Sequence, residues 1–523
     1  MAGHLGADGA AVDWLKVYLG FGGMVLGQFM AILDIQIVAS SLSQIQAGIG
    51  ASADEMSWVQ TIYLLTEVVT MPLTAYMTKM WGTRRFYVIA TVGFIIASVV
   101  TGLSTSIEMM IATRAVQGLF AGAMIPPVMA TAMTVFPPEK RMTANVVFAM
   151  VLSLAPTLGP TLGGYLTEGL NWRWLFFVNA PVGLLVVFLV GRYAAFDKAD
   201  PSLGKGVDWW GLGLMTVALL SMQFVFEEGA DNEWFADDTI LWLTVTAAVA
   251  GVAFVWRELT CARPIVSFRP FRDRNFTVGI LMSTVAGVSL YGAAFVIPLF
   301  LGQVLRYSSV QVGHVMLTSG LTMLLLSPFV GRLAQYLDLR LYILAGFAIT
   351  AWGVAFGAHI SADWGFHEFT VMQVVRTVGV LVAMIGTQQL VVSTLPVELM
   401  KDASGLVNLM RNVGGAIGLA MLSTITSRQS AIHYSELTAR VNDTTQGAAD
   451  MLAGLTQLMT ERGVSDPAGA ARKAISLLIH RDALVLAYAD AFWLLALSCG
   501  LAGLLVLLAA PARAPAARPA GGH

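Results

Sequence analysis

Charged side chains inside otherwise apolar stretches are the residues of this sequence most capable of chemistry. Asp34 stands in FMAILDIQIVAS, Glu67 stands in TIYLLTEVVTMP, and Arg114 opens a further apolar run with Gln117 and Gly118 one turn later. Each charge costs about 2.5–3.5 kcal/mol to insert into a bilayer, so its presence needs a reason. Burial and a nearby cation act in opposite directions on the proton affinity of a carboxylate. Asp34 and Glu67 are therefore predicted proton carriers, with Arg114 as the cation whose movement would switch them.

A structural interpretation of the same charges stays open at this stage. Asp34 and Arg114 can form a buried pair that only holds two helices together. Arg376 and Arg411 are further charges inside later apolar runs, and both interpretations apply to them as well. No nucleophile, histidine or metal-ligand cluster gathers near one membrane face, so the sequence predicts no enzyme, no catalytic residue, no metal and no cofactor.

The composition indicates which elements must hold these charges. The 523 residues are 57% hydrophobic and 12% charged, with a mean hydropathy of +0.73. Soluble proteins carry about 25% charged residues, and a bilayer admits helices of roughly 20 apolar residues. The net charge of −2 gives no sign of nucleic-acid binding, and the two cysteines suggest neither a disulfide framework nor a metal pair. The sequence predicts an all-α polytopic membrane protein.

Fourteen apolar runs of sufficient length follow one another along the chain. They lie at 17–40, 57–78, 86–105, 110–135, 143–167, 174–192, 208–227, 239–256, 276–300, 310–331, 340–358, 368–392, 405–425 and 485–509. An even number of spans places both termini on one side. That side holds 19 Lys and Arg residues, whereas the short loops of the other side hold only Arg173 and Arg306. The positive-inside rule then predicts that both termini are cytoplasmic.

An internal repeat divides these spans into two halves. At a constant offset of 256 residues, Pro72 matches Pro328 and Arg84 matches Arg340. Transporters are often built from such repeated halves. The predicted organisation is a six-helix bundle at 1–200, two inserted helices at 201–260, five helices of a second bundle at 261–425, a periplasmic loop at 426–484, and the last span with its tail at 485–523. Chance similarity of two amphiphilic turns is the alternative.

One span carries an unusual number of residues that weaken helices. The stretch LAPTLGPTLGGYL (154–166) contains Ala155, Gly159, Pro160, Gly163 and Gly164 in place of larger apolar residues. Small residues four apart let neighbouring helices approach closely, and proline bends a helix. Such a span can be a static packing face. Alternatively, it can pack against the opposite half in one state and release it in another.

Four stretches together carry a family resemblance. They are LDIQIVASSL (33–42), AYMTKMWGTRR (75–85), RAVQG (114–118) and APTLGPTLGG (155–164). In the same order, they resemble the span-1 motif, the loop motif G-x-L-A-D-R-x-G-R-R, the span-4 motif and the span-5 antiporter motif of the major facilitator superfamily. The chain is similar to fourteen-span drug:proton antiporters of the EmrB/QacA type over nearly its whole length.

The resemblance implies a fold of two six-helix bundles with two inserted helices, and a proton-driven exporter of amphipathic compounds. It implicates Arg114 in proton coupling and the 155–164 stretch in an antiporter gate. The loop motif keeps Gly82, Arg84 and Arg85 but has Thr78 where the family has Asp, which puts its charge latch in doubt. A dedicated metabolite, fatty-acid or siderophore exporter, or an uptake symporter, remains the alternative.

The polar, helix-prone segment 426–484 resembles the outer loop of EmrB-like permeases from Gram-negative bacteria. Those permeases work with a periplasmic membrane-fusion adaptor (EmrA-like) and a TolC-like outer-membrane channel. The resemblance therefore implies the same two partners, besides protons, amphipathic substrates and the lipid bilayer. A cap that packs only on the protein itself is the alternative.

Overall fold

The computed structural model of the chain describes residues 13–39, 41–204, 207–230, 232–261, 263–334, 336–440 and 446–510. All regular secondary structure in these residues is helical, which confirms the predicted all-α class. Three of the cations counted for the topology, Lys205, Arg513 and Arg518, lie outside them.

Eighteen α-helices account for most of the described residues. They are α1 Trp14–Ala39, α2 Leu42–Ile49, α3 Ala53–Trp81, α4 Thr83–Gly102, α5 Ile107–Met124, α6 Pro126–Thr134, α7 Pro138–Gly169, α8 Trp174–Phe177, α9 Asn179–Tyr193, α10 Trp209–Glu228, α11 Asp238–Thr260, α12 Arg274–Gln303, α13 Ser309–Leu333, α14 Leu339–Phe356, α15 Phe366–Val392, α16 Met400–Arg440, α17 Gln446–Glu461 and α18 Pro467–Leu505. Short 3₁₀ helices lie at Pro201–Gly204, Trp234–Ala236, Arg269–Arg272, Gly357–His359, Val397–Leu399 and Val506–Leu508.

Twelve segments of the described chain are long and apolar enough to cross a membrane. Two more helices coincide with predicted spans and are long enough, α3 with 29 residues and α7 with 32, but they carry more polar, proline and glycine residues. The predicted count of fourteen is therefore not confirmed as such. The span predicted at 110–135 is divided into α5 and α6 at Ile125, and the span predicted at 174–192 into α8 and α9.

Local sequence signals mark the second long helix of each half. Ser52 and Ser308 each cap a helix with a complete capping box, at the starts of α3 and α13. Pro72 lies inside α3 and Pro328 inside α13, which are the two positions that the repeat pairs. The two helices thus share a cap and an internal proline, as a duplicated element would.

Several helix pairs join the first bundle to the second, and two of them make the most contacts. α7 runs along α13, and α3 runs along α16. Gly313 and Gly331 of α13 contact α7 so closely that a Cβ at either position would overlap Thr161 or Val146. The predicted inserted helices α10 and α11 pack on each other, and α10 also contacts both α3 and α16.

The last two long helices extend well beyond a membrane. At 1.5 Å per residue, the 41 residues of α16 span about 61 Å, against a hydrocarbon core of about 30 Å. The outer parts of α16 and α18 meet where the Tyr434 hydroxyl lies 3.1 Å from the Ser476 Oγ, and α17 packs on α18. We call the described residues of 426–484 the helical protrusion; residues 441–445 lie outside the described chain.

Candidate functional site

Asp34 and Arg114 form a buried ion pair in the first bundle. The Arg114 Nη1 donates to the Asp34 Oδ2 at 2.6 Å, and the exposed fraction of both side chains is 0%. The amide nitrogens of Gln117 and Asn179 donate to the Asp34 Oδ1, at 3.1 Å and 2.6 Å. Three helices, α1, α5 and α9, thus supply one carboxylate and three donors. The predicted residues Asp34, Arg114 and Gln117 are brought together.

The guanidinium of Arg114 is held by α3 as well. Its Nε donates to the Val59 carbonyl oxygen at 3.2 Å, and its Cζ lies 4.1 Å from the centroid of the Tyr63 ring. The Tyr63 hydroxyl in turn donates to the Ala31 carbonyl oxygen of α1 at 3.2 Å. A cation over an aromatic face is stabilised by the ring quadrupole. The pair is therefore fixed from several sides.

Glycine lets α5 and α3 come close enough for these contacts. A Cβ at Gly118 would overlap the Tyr63 carbonyl, and a Cβ at Gly122 would overlap the Glu67 carbonyl. Gly118 of the span-4 motif is thus a residue of close helix approach, which is the use of small residues between membrane helices.

Glu67 lies midway along α3, with no hydrogen bond to the ion pair but within electrostatic range of both Arg114 and Asp34. Its exposed fraction is 1%, and its Oε2 has no hydrogen-bond partner among the described residues. The side-chain amide of Asn412, from α16 of the second bundle, faces the Glu67 carboxyl group. The Asn412 Nδ2 lies 3.5 Å from the Met71 Sδ, and the Tyr291 hydroxyl donates to the Asn412 Oδ1 at 3.2 Å. Glu67 therefore lies where the two halves meet.

Arg376 and Arg411, the predicted charges of the second bundle, lie in different surroundings. The Arg376 Nη2 donates to the Gln373 Oε1 at 2.8 Å and to the Ser319 Oγ at 3.1 Å. Arg411 donates from its Nη2 to the Asn408 Oδ1, and its Nε has no partner among the described residues. Neither arginine makes an ion pair in the described part of the chain.

The 155–164 stretch contacts helices of both halves. Gly159 lies against α1 of its own half, where a Cβ would overlap the Gln36 side chain. Ala155, Gly163 and Gly164 are buried on the same helix. Thr161 of the same stretch contacts Gly313 of α13 in the opposite half, and Val146 of α7 contacts Gly331. The Pro160 side chain is outside the part that the structure describes.

The loop motif lies beside two ion pairs that the sequence did not reveal. Gly82 joins α3 to α4 with a φ of 78°, a left-handed conformation that favours glycine, and Arg84 and Arg85 are exposed. Thr78, in place of the family's Asp, donates to the Thr74 carbonyl oxygen of its own helix at 2.7 Å. It takes no part in an ion pair among the described residues.

A different set of residues ties the halves together at this end. The Lys79 Nζ lies 2.7 Å from the Asp402 Oδ1, and the Lys401 Nζ pairs with the Asp197 carboxylate. Asp197 also accepts hydrogen bonds from the backbone and hydroxyl of Thr83, at 2.9 Å and 2.8 Å. In one pair the lysine comes from the first half and in the other from the second. We call these two pairs the interhalf latch.

Sequence reasoning missed Asn179, Tyr63, Asn412 and the four latch residues. Asn179 and Asn412 carried a usable signal, because each is an amide within or beside an apolar run, in FFVNAPVG and MRNVGGAIG. The latch had no comparable signal, since lysine and aspartate at helix ends are ordinary surface residues.

Comparisons with known proteins agree with this architecture. A profile described as the Major Facilitator Superfamily matches residues 24–419. The chain is 35% identical over 480 residues to the colistin resistance protein EmrB of Acinetobacter baumannii (91% of this chain and 93% of the relative). It is 30% identical over 478 residues to the multidrug export protein EmrB of Escherichia coli (90% of both chains).

Two further comparisons bear on substrate and fold. The fatty acid resistance protein FarB of Neisseria gonorrhoeae is 30% identical over 458 residues (88% of both chains). The crystal structure of the human organic anion transporter MFSD10 (TETRAN) has a TM-score of 0.56 at 13% identity, and covers 92% of this chain and 99% of its own. At that identity it supports the fold alone. The chain belongs to the major facilitator superfamily, and is a multi-pass membrane protein similar to EmrB.

Proposed function

We propose that this member of the major facilitator superfamily is a multidrug efflux permease, which exports amphipathic compounds in exchange for protons. Two relatives named for multidrug export and colistin resistance match about nine-tenths of the chain. One structural observation supports the exchange for protons. Glu67 is a second buried carboxylate, it lies between the halves, and one of its oxygens has no hydrogen-bond partner among the described residues.

The mechanism assigns different tasks to the two acids. Asp34 accepts three charge-assisted or amide hydrogen bonds, so its carboxylate is stable while Arg114 stays in place. Glu67 lacks such a set, so a proton or a cationic group on the ligand stabilises it when it is buried. A proton that enters from the periplasm neutralises Glu67, or Asp34 after Arg114 moves. A compound that binds from the cytoplasm or inner leaflet displaces it.

Alternating access then follows from movement of one half against the other. The interhalf latch closes the predicted cytoplasmic end in this conformation, through Lys79–Asp402 and Lys401–Asp197. Opening the route to the cytoplasm requires both pairs to separate. Each elementary charge moved down the membrane potential supplies about 2.3 kcal/mol per 100 mV, which with a pH gradient is enough to drive export.

The proposal includes a bacterial inner-membrane location with cytoplasmic termini, and an adaptor with an outer-membrane channel as partners. The charge distribution supports the orientation. The helical protrusion supports a partner, because it extends beyond the bilayer on the predicted periplasmic side. Its self-packing, with α17 on α18, suits the alternative of a cap. Deletion of α17 tests this point: co-purification with an EmrA-like adaptor is lost if the protrusion docks it.

A dedicated fatty-acid exporter is the second candidate, and it rests on the similarity to FarB. The two candidates differ in substrate range. A multidrug permease protects cells against several unrelated amphipaths, whereas a dedicated exporter protects against long-chain fatty acids alone.

The test of the proposed function is drug-induced proton release in everted membrane vesicles. Vesicles contain the wild type, Asp34→Asn or Glu67→Gln, and hydrophobic cations and weakly acidic uncouplers are added in turn. We expect release with the wild type and its loss in at least one variant, which identifies the carrier. Absence of proton movement with every compound, from folded wild-type protein, contradicts proton-coupled drug export.

A further inference from the structure

Two buried charges of opposite sign face the junction of the halves, and each has an atom without a partner. They are the Glu67 Oε2 and the Arg411 Nε, on side chains that are 1% and 3% exposed. Glu67 lies midway along α3, and Arg411 lies about 17 Å along α16 from its start, which is also near mid-depth. Arg114 lies within electrostatic range of Glu67 but is paired with Asp34, and Arg411 makes no ion pair among the described residues. An ionised group that is buried without a direct ion-pair partner is costly, so a bound group that neutralises Glu67 and Arg411 would be favoured.

The side chains of Asn412 and Tyr291 connect the surroundings of Glu67 and Arg411. Asn412 directly follows Arg411, and its amide faces the Glu67 carboxyl group. The Tyr291 hydroxyl is bonded to Asn412 and lies within electrostatic range of both charges. We call Glu67, Tyr291, Arg411 and Asn412 the mid-depth layer. It is built from both halves, since α3 belongs to the first and α12 and α16 to the second.

Apolar and aromatic groups complete the surroundings of the layer. The Arg411 guanidinium lies 5.7 Å from the centroid of the Phe148 ring of α7, and the Met71 Sδ contacts Asn412. An aromatic ring and a thioether suit a flat or flexible apolar body, because a thioether adapts to irregular shapes. The layer thus offers a cationic end, an anionic end and an apolar wall.

The buried charges Asp34, Arg114 and Arg376 have polar partners within their own half, although the Arg114 Nη2 is itself without one among the described residues. Asp34 and Arg114 neutralise each other at 2.6 Å. Arg376 is hydrogen-bonded twice by Gln373 and once by Ser319, all within its own half. Only the mid-depth layer, among the described residues, combines unpartnered atoms of both signs from both halves.

We infer that the mid-depth layer binds zwitterionic amphipaths, with Glu67 holding the ligand's ammonium group and Arg411 its carboxylate. The inference rests on the proposed function, since the layer is the substrate site of that transporter. It names the substrate class that such a site prefers. A bound zwitterion neutralises both charges at once, and its ammonium group takes the place of the proton on Glu67.

The test uses three matched ligands and the full-length protein in lipid nanodiscs. The ligands are a fluorescent quinolone with a free piperazine amine and a carboxylate, its methyl ester, and its N-acetyl derivative. The ester keeps only the positive charge, and the N-acetyl compound keeps only the negative charge. Fluorescence polarisation gives a Kd for each. We expect the zwitterion to bind at least tenfold more tightly than either derivative, which corresponds to about 1.4 kcal/mol.

Single substitutions then assign each end of the ligand. In Glu67→Gln, the zwitterion and the N-acetyl compound should bind with equal Kd. The zwitterion should still bind more tightly than the ester, because Arg411 still holds its carboxylate. In Arg411→Gln, the zwitterion and the ester should bind with equal Kd, and the zwitterion should still bind more tightly than the N-acetyl compound. Arg376→Gln is the matched control: it changes another buried arginine without an acid partner, and the ratios between the three ligands stay as in the wild type. If Arg411→Gln does not fold, Arg411→Lys is used, and it retains part of the preference over the ester.

Two results overturn the inference: equal affinities of the three ligands for the wild type, or an equal loss for all three in Arg411→Gln. Everted vesicles separate this failure from failure of the proposed function. Proton-coupled export of the ester and the N-acetyl compound at the rate of the zwitterion leaves the efflux function intact and rejects the bipolar site. Export of none of them, together with no response to other amphipaths, rejects the efflux function itself.

Discussion

Replacement of Asp34 by asparagine is the sharpest perturbation that the first bundle offers. The substitution keeps the size of the side chain and removes its charge. Arg114 then loses its 2.6 Å ion pair and keeps neutral partners, the Gln117 Oε1 at 3.0 Å and the Val59 carbonyl oxygen at 3.2 Å. The guanidinium becomes a buried charge without an ion-pair partner, because its side chain is 0% exposed and Glu67, the remaining acid within electrostatic range, makes no bond to it.

The expected cost follows from that burial. Removal of one partner of a buried ion pair typically destabilises a protein by about 3–5 kcal/mol, largely through the charge left behind. In the double variant Asp34→Asn/Arg114→Gln no charge is left behind. Its loss of stability should therefore be smaller than the sum of the two single losses by about 2 kcal/mol, within the range seen for residues in direct contact.

The assay is reversible unfolding in mixed micelles, with the four proteins of the cycle measured side by side. Asp13→Asn is the control, because Asp13 pairs with Lys16 on the surface, where both side chains are at least half exposed. It should unfold like the wild type. Additive losses in the double variant, or an Asp34→Asn protein as stable as the wild type, would refute the claim that this pair is a closed electrostatic unit.

Three further predictions concern the latch, the inserted helices and helix approach. Asp402→Asn breaks one latch pair, and a partly exposed pair contributes up to ~1 kcal/mol. Amide hydrogen exchange at the start of α16 should therefore rise by up to about fivefold. Unchanged exchange would show that the Lys79–Asp402 pair does not stabilise this end of α16. Asp208→Asn leaves an amide oxygen that can still cap α10, but it removes the carboxylate charge that Arg257 neutralises through two bonds, at a cost of up to about 1 kcal/mol in unfolding at neutral pH. The bonds from Arg257 lower the pKa of the Asp208 carboxyl. The contribution of Asp208 to the free energy of unfolding is therefore complete above the usual aspartate pKa (~3.9) and disappears as the pH falls through the lowered value. The difference in unfolding free energy between wild type and variant should thus be constant near neutral pH and vanish only in acid. Gly122→Ala forces a methyl group into the α3 backbone and should cost about 1–3 kcal/mol, whereas Gly22→Ala, with open space around it, should cost nothing; equal effects would contradict the close approach.

The buried charges and the repeat were predictable from the sequence because each has a local signature. A charged residue in an apolar run is visible without a structure, and so is a proline recurring at a fixed offset. The structure accordingly pairs Asp34 with Arg114 and places Pro72 and Pro328 inside the second long helix of each half. The residue types alone could not decide whether Asp34 is a proton carrier or one half of a structural ion pair. The interhelical hydrogen bonds show that Asp34 is held more firmly than Glu67.

The latch and the mid-depth layer could not be predicted, because they depend on how two bundles meet. Lys79 and Asp402 are 323 positions apart, and neither stands in an apolar run. The small-residue face of α7 shows the same limit: the spacing of Gly159 and its neighbours predicts a close approach, but only the packed bundle shows that α1 is the helix that approaches.

One helix connects the three charge systems of the protein, and this bears on how they can be coupled. α3 carries Tyr63 against the Arg114 guanidinium, Glu67 in the mid-depth layer and Lys79 in the latch. A shift of α3 against α16 large enough to separate Lys79 from Asp402 must also move Glu67 relative to Asn412, because the same two helices make both contacts. Tyr63 lies one turn before Glu67 on α3, so the same shift alters the wall that holds Arg114 on Asp34. Protonation, ligand binding and opening therefore need no separate relay: each changes the free energy of one continuous helix, α3, that takes part in all three.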